Sequence, residues 1–391
     1  MQFTFLLDKV RMTNSFLIVA SDFVKTGGMD RANYALAEYI ARQGNNLHLV
    51  SYRVDNDLVG IPKVCVRDVP KPLNSHFLGA PLLGIKALAV ADRLSKAGKL
   101  RVIVNGGNCP WADVNWVHYV HAAYRSDNRS SATSQLKKQL NHQIALQTEK
   151  IALQKAKLVI ANSIVTQNHL IDLLQLDPSK VKTIYYGIDP TIFYPAADAE
   201  KAALRAEYGW DLDLPLVTFI GALGDRRKGF DTLFSAWQQL CQDPNWTARL
   251  VAIGVGDELP LWQQRTHAAG LTDRIQFLGF RRDVPSILRS ADCLVAPTRY
   301  EAYGLGVHEA LCCGLPAIAT ATAGVAERYS PELQDLLLPD ANDVEDLVSR
   351  LYRWQQQQEH YRQQAIDLSA PLRRYTWDDM ARDIVTAIEN Q

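Results

Sequence analysis

Short apolar runs alternate along the chain with stretches whose apolar residues recur at helical spacing, the pattern of parallel sheets flanked by helices. In the first half, strands are expected at SFLIVAS (15–21), NLHLVS (46–51), LRVIVN (100–105), VNWVHYVH (114–121), KLVIANS (157–163) and VKTIYYG (181–187). In the second half they are expected at PLVTFIG (215–221), ARLVAIG (248–254), RIQFLG (274–279), DCLVAP (292–297) and LPAIAT (315–320). Such a series predicts an α/β protein of two Rossmann-like domains. GIDPTIFYP, from Gly187 to Pro195, joins a glycine, two prolines and a turn-forming aspartate, so the boundary is expected there. The expected division is 1–190, 191–374 and a terminal segment 375–391, where Met380, Ile384, Val385 and Ile388 mark a helix from about Trp377 to Glu389. The glutamine-rich pieces at 135–154 and 354–364 keep apolar residues at helical spacing and read as helices.

Length agrees with two cores, since 391 residues is long for one. Lys plus Arg and Asp plus Glu both number 42, so no overall field draws the chain to nucleic acid or an anionic surface. No run approaches the roughly 20 apolar residues needed to span a bilayer. The opening MQFTFLLDKVRMTNSFLIVAS is broken by Asp8, Lys9 and Arg11 and reads as a tail leading into the first strand, not as a signal peptide. Six cysteines without C-x-x-C spacing then point to reduced thiols and a cytoplasmic setting.

The richest chemistry lies in RYEAYGLGVHEALCCGLP (299–316). The preceding strand places Glu301 in the loop at its carboxyl end, where open α/β sheets bind ligands. If a helix begins near Leu305 after the Gly304 turn, its free N–H groups and dipole suit a phosphate. Glu309 then stands about 6 Å further up that face, within reach of ribose hydroxyls. Spacing alone also fits two solvated carboxylates around a shaped turn.

Other loops carry weaker signals. TGGMDRAN (26–33) follows the first strand, and Gly27 and Gly28 let backbone approach a ligand or make an ordinary turn. In VHYVH, His118 and His121 are three apart on an expected strand and face opposite sides, so they cannot share one metal. FIGALGDRRKGFDTL (219–233) puts Arg226, Arg227 and Lys228 at a strand-to-helix turn, able to neutralise a diphosphate or simply to be solvated. DND (55–57) and DLD (211–213) lie in polar loops and do not read as metal sites, and GVGDEL (254–259) lacks the third glycine of a dinucleotide fingerprint.

Through Glu301, Gly304, Leu305 and Glu309, the segment resembles the E-x7-E signature of retaining glycosyltransferases of the GT-B fold, family four or group 1, which use nucleotide-sugar donors. Lys228 and Gly229 match the family's Lys-Gly. The arginine expected directly after Gly221 is replaced by Ala222, leaving Arg226 or Arg227 to supply its charge. GIDPTIFYP resembles the family linker, and TGGMDRAN resembles its amino-terminal glycine loop near the transferred sugar and acceptor. FLGFRRDVPSILRSADCLVAP (277–297) resembles the stretch where the donor base packs near Phe280, Arg281 and Asp283, while TAGVAE (322–327) keeps one glycine, Gly324, where many relatives have two.

The resemblance implies two Rossmann-like domains facing across a cleft, with the last helix crossing back to the first. It implies metal-independent, retaining transfer from a nucleotide-diphosphate sugar to a glycan, lipid-linked or small-molecule acceptor, with no cofactor. Glu301 would orient the sugar, and His121 is the better match for the family's histidine, with His118 in reserve. Gly27, Gly28, Arg226, Arg227, Lys228, Arg281, Gly304, Leu305 and Glu309 would hold the donor. The acceptor would meet 105–116 and 122–143; there Arg125, Arg129, Lys137 and Lys138 suit an anionic acceptor or peripheral contact with the inner membrane face, or form a solvated helical face. A non-catalytic nucleotide-sugar-binding protein and a nucleotide-sugar epimerase on the same fold are the alternatives; no lysine is placed to suggest a pyridoxal-dependent phosphorylase.

Overall fold

The computed structural model describes residues 15–124 and 132–391. Arg125 and Arg129 lie outside the described residues, as do the side chains of Lys137 and Lys138. The first sheet contains β1 (Ser15–Val19), β2 (Asn46–Ser51), β3 (Val64–Asp68), β4 (Leu100–Asn105), β5 (Val114–Val117), β6 (Leu158–Ala161) and β7 (Val181–Thr183). All are parallel, in the order β3-β2-β1-β4-β5-β6-β7. The second contains β8 (Leu216–Ile220), β9 (Arg249–Ile253), β10 (Ile275–Gly279), β11 (Cys293–Ala296), β12 (Ala317–Thr320) and β13 (Leu337–Leu338), parallel in the order β10-β9-β8-β11-β12-β13.

Each sheet winds outward from its first strand and then reverses. The crevice of a doubly wound sheet opens at that reversal, above the carboxyl ends of the central strands. It lies between β1 and β4 in one domain and between β8 and β11 in the other. The loops leaving β1, β8 and β11 carry the glycine pair, the basic cluster and Glu301, so topology sends all three to switch points.

The eleven expected strands are present because parallel strands covered on both faces read as unbroken apolar runs. Phe16 to Val19, β5, β6, β11 and β12 are buried throughout. The sequence pattern missed β3, VCVRD, a half-buried edge strand ending in two charges, and the two-residue β13. Three expectations are corrected. The strand expected at 181–187 ends at Thr183. The strand expected at 114–121 leaves the sheet after Val117, and His121 begins a short 3-10 turn. The helix expected at 354–364 is two helices, Val344–Gln356 and Gln358–Leu372, broken at Gln357, whose φ is −129°.

Five helices bear on the site: α1 (Gly28–Arg42), α2 (Ile164–Leu174), α3 (Phe230–Leu240), α4 (Leu305–Cys312) and α5 (Trp377–Glu389). Helix α5 opens with a capping box between Thr376 and Asp379 and packs against α1, burying Met380, Ile384 and Ile388 in the core that holds Phe16, Ile18 and Leu36. A Cβ on Gly187 would lie 2.2 Å from the Thr376 carbonyl oxygen, so only glycine lets the interdomain linker run beside the start of α5.

The domains also meet along one side of the crevice. Glu327 of the second domain accepts from the backbone N–H groups of Ile164 and Val165 at 3.0 and 2.7 Å, capping α2. Ser163 donates to the Ala302 carbonyl at 2.6 Å, and Tyr303 is buried in the first domain's core. Among the described residues, no helix is long and apolar enough to cross a membrane.

Candidate active site

The crevice is a cavity of about 1080 Å³ lined by both domains. At its centre Glu301 meets Lys228, with Nζ 2.6 Å from Oε2, and Arg227, with Nη1 3.5 Å from the same oxygen. Burial pushes the Glu301 carboxyl up, but the ammonium and guanidinium outweigh it and hold the group below the ordinary carboxylate range. Glu301 is therefore a standing anion, and an ammonium with three donors has two left for another ligand.

The basic turn reaches Glu301 because Gly229 lies against the strand-end backbone. Its φ is 72°, and a Cβ there would stand 1.8 Å from the Pro297 carbonyl oxygen. Gly229→Ala is expected to destabilise the protein by at least about 2 kcal/mol, combining left-handed strain with a backbone clash. At a domain of this size the melting temperature should fall by roughly 4–8 °C. A melt within a degree of wild type would show that the turn has no need of glycine.

Arg227 and Lys228 line the cleft, but Arg226 does not. Arg226 is drawn to Asp231 at 2.9 Å, a carboxylate also gripped by Arg299. Arg227 is braced by Asp225 at 3.1 Å and the Tyr300 carbonyl at 3.2 Å. Of the two arginines expected to replace the charge missing at Ala222, Arg227 is the one in position.

Gly304 adopts a φ of 103° and α4 begins at Leu305; α1 begins at Gly28 after Gly27, whose φ is 82°. Neither helix has a side-chain cap, so both present unsatisfied N–H groups. A Cβ on Gly28 would lie 3.7 Å from the Leu305 side chain, so the two helix ends face each other across the cleft.

One turn along α4, the Glu309 side chain is 14% exposed, with Arg31 of α1 3.7 Å away. Burial pushes its carboxyl up to about 7, against the opposing pull of the Arg31 guanidinium. Arg31 was not singled out in the sequence, although it stands three residues past Gly28; it lies near the rings of Phe193 and Trp377, each 5.5 Å away. Arg281 lines the same cleft and pairs with Asp283, while Phe280 at the rim is 62% exposed.

The two histidines part company. His121 is held by Glu149, with Nδ1 2.9 Å from Oε1, packs beside Tyr119, and is not among the residues lining the cleft. His118 lines the cleft, and burial pushes its pKa down to about 3, leaving a neutral ring. Tyr119, Asn162, Tyr186 and Tyr303 also line the wall without any local sequence signal. Among the described residues, no cluster of three His, Cys, Asp or Glu could hold a metal ion.

Residues 26–192 match the family model described as Glycosyltransferase Family 4, and residues 214–356 match Glycosyl transferases group 1. Over 263 residues the chain is 26% identical to the mannosylfructose-phosphate synthase of Agrobacterium fabrum, covering 65% of this chain and 57% of that one. The chain spans about half the length of the first curated relatives it matches. Among solved structures, sucrose-phosphate synthase from Thermosynechococcus elongatus superposes with a TM-score of 0.76 at 20% identity, over 96% of this chain and 98% of that one. HepE of Anabaena, in complex with UDP and glucose, superposes with a TM-score of 0.72 at 18% identity, over 97% and 100% of the two chains.

Proposed function

This chain belongs to the group 1, family four glycosyltransferases of the GT-B fold, and we propose that it moves a sugar, with retention and without a metal, from a nucleoside diphosphate to a hydroxyl acceptor. The observation that carries this reading is the Glu301, Lys228 and Arg227 cluster facing the uncapped end of α4. The diphosphate would lie against the amino end of α4 and take the free donors of Lys228, with the ribose over Glu309. The base would meet the wall near Phe280 and Arg281.

Breaking the bond from sugar to phosphate builds positive charge on the anomeric carbon and negative charge on the departing diphosphate. Lys228, Arg227 and the helix end stabilise the leaving group where it forms, without reorganising. Glu301 orients the sugar's hydroxyls. Attack from the leaving-group face needs no protein nucleophile, and the departing phosphate takes the acceptor's proton. The acceptor would enter from the first domain, past the glycine loop at Gly27 and Gly28.

HepE is solved with UDP and glucose, which supports uridine diphosphate as the first probe. We expect one of uridine, guanosine or adenosine diphosphate, at about 100 times its Kd, to stabilise the protein by about 2.7 kcal/mol. The melting temperature should then rise by roughly 5–10 °C, equally in the presence of EDTA. No shift with any of the three at millimolar concentration would remove the nucleotide reading; a shift abolished by EDTA would remove metal independence.

A further inference from the structure

A buried polar chain on the cleft wall fixes the direction of one hydroxyl. The Asn105 amide nitrogen lies 3.3 Å from the Trp116 carbonyl and 3.0 Å from His118 Nε2. The carbonyl can only accept, so that end of the amide is the NH2, and its second hydrogen points at Nε2. His118 Nε2 is therefore an acceptor, and its neutral ring carries its one proton on Nδ1. Nδ1 faces the Tyr186 hydroxyl at 2.5 Å and donates to it.

Asn162 closes the other side. Its amide nitrogen lies 3.4 Å from the His118 carbonyl, which can only accept, so this end is the NH2; it also faces the Tyr186 hydroxyl, 3.2 Å away, while Oδ1 faces the Thr166 hydroxyl at 2.8 Å. The phenolic oxygen thus receives two hydrogen bonds, which fill both lone pairs. Its own proton has no acceptor among the described residues, though the side chain is only 4% exposed and lines the cleft. A buried hydroxyl proton without a partner is costly, and a ligand oxygen would relieve that cost. Burial keeps this phenol protonated at any ordinary pH.

We propose that Tyr186 is a substrate contact whose hydroxyl donates a hydrogen bond to a hydroxyl oxygen of the sugar carried by the donor. The sugar is favoured over the nucleotide because the Tyr186 hydroxyl lies within the field of Glu301 and its ring packs on Tyr303, two residues past Glu301. A sugar hydroxyl is both donor and acceptor: it can give its proton to the Glu301 carboxylate and accept the proton of Tyr186. Asn105, His118 and Asn162 are positioning residues that hold the phenol in the donor sense. The inference rests on the cleft being a nucleotide-sugar site.

Tyr186→Phe keeps the ring and removes the donor. Uridine, guanosine and adenosine diphosphates, each with and without glucose, would be titrated calorimetrically into wild type and variant. For the pair that wild type binds, the variant should lose about tenfold in affinity for the glucose conjugate and less than twofold for the bare diphosphate. Equal losses for both, or none for either, would overturn the role of Tyr186 while leaving the nucleotide site standing. Binding of no diphosphate by wild type would remove the site and this inference together. Nitrogen-15 NMR of His118 should show the neutral Nδ1–H tautomer; finding the proton on Nε2 would overturn the inference whatever the ligand.

Discussion

Glu301→Gln should lower the rate of sugar transfer by about 10²–10³-fold while leaving the affinity for bare nucleoside diphosphate unchanged or tighter. The two effects part because Glu301 has two relations in the cleft. Towards the sugar it is an oriented acceptor, and an amide cannot stabilise developing positive charge as a carboxylate does. Towards Lys228, 2.6 Å away, it competes with the phosphates for the same ammonium. Glutamine removes that competition. Arg227 retains Asp225 as a partner, and the cluster faces a cavity, so the folded state should tolerate the change better than the loss of a fully buried pair, which costs about 3–5 kcal/mol. Lys228→Ala should behave oppositely, weakening the diphosphate and the transfer together. Steady-state kinetics beside calorimetric titration checks both. A turnover number within tenfold of wild type in Glu301→Gln, or diphosphate affinity that falls in step with it, would contradict the assignment.

Glu309→Gln should stabilise the ligand-free protein at alkaline pH and weaken donor binding. The Glu309 carboxyl is raised from 4.5 to about 7 in the folded state. Below pH 4.5 it is protonated in folded and unfolded chains alike and has little effect on stability. As pH rises from 4.5 towards 7 the unfolded chain ionises while the folded one holds its proton, so stability falls by about 1.4 kcal/mol per unit. Above 7 the deficit is constant at roughly 3 kcal/mol. Urea unfolding should therefore find variant and wild type alike near pH 4.5, with the variant ahead by up to about 3 kcal/mol at pH 8. Donor affinity of wild type should rise as pH passes upward through about 7, because ribose hydroxyls donate best to the ionised carboxylate, and in the variant that rise should vanish. A stability gap independent of pH, or an equal rise in donor affinity in the variant, would show that Glu309 is not the titrating group.

The two results share a cause. Two carboxylates at the ends of one short segment are pushed apart in pKa by their surroundings, Glu301 downward by two cations and Glu309 upward by burial. In the chain they differ only in position. One stands permanently charged beside the basic turn, and the other takes charge most readily once a ligand or higher pH favours it.

How much of this was legible depends on how local the physics is. The central strands were readable because a parallel strand covered on both faces must be apolar at every position, as LIV of β1 and CLVA of β11 are. The edge strand VCVRD was not, since one side meets water and tolerates Arg67 and Asp68. VNWVHYVH overran because its apolar pattern continues through Val120, although the sheet ends at Val117 and Val120 is buried against other partners, including Tyr300, whose hydroxyl accepts from the Val120 N–H. Glu301, Lys228 and the glycine turns stand in loops after strands, which marks them as candidates, while their roles come from the resemblance to the family. The choice between Arg226 and Arg227 is not legible, because adjacent arginines look alike until Asp231 claims the first.

Residue order alone therefore determined the alternation of strands and helices, the two α/β halves and the loops at the strand ends, since these follow from hydrophobic spacing over a few residues. The folded chain alone decided which charges meet: Lys228 finds Glu301 from a different loop, and Arg31 finds Glu309 from the other domain. It also decided that His118 rather than His121 faces the cavity, and that Asn105, His118 and Asn162 together turn the Tyr186 hydroxyl into a donor. Ion pairing, burial and proton direction depend on distances through space between distant parts of the chain, which local spacing does not encode.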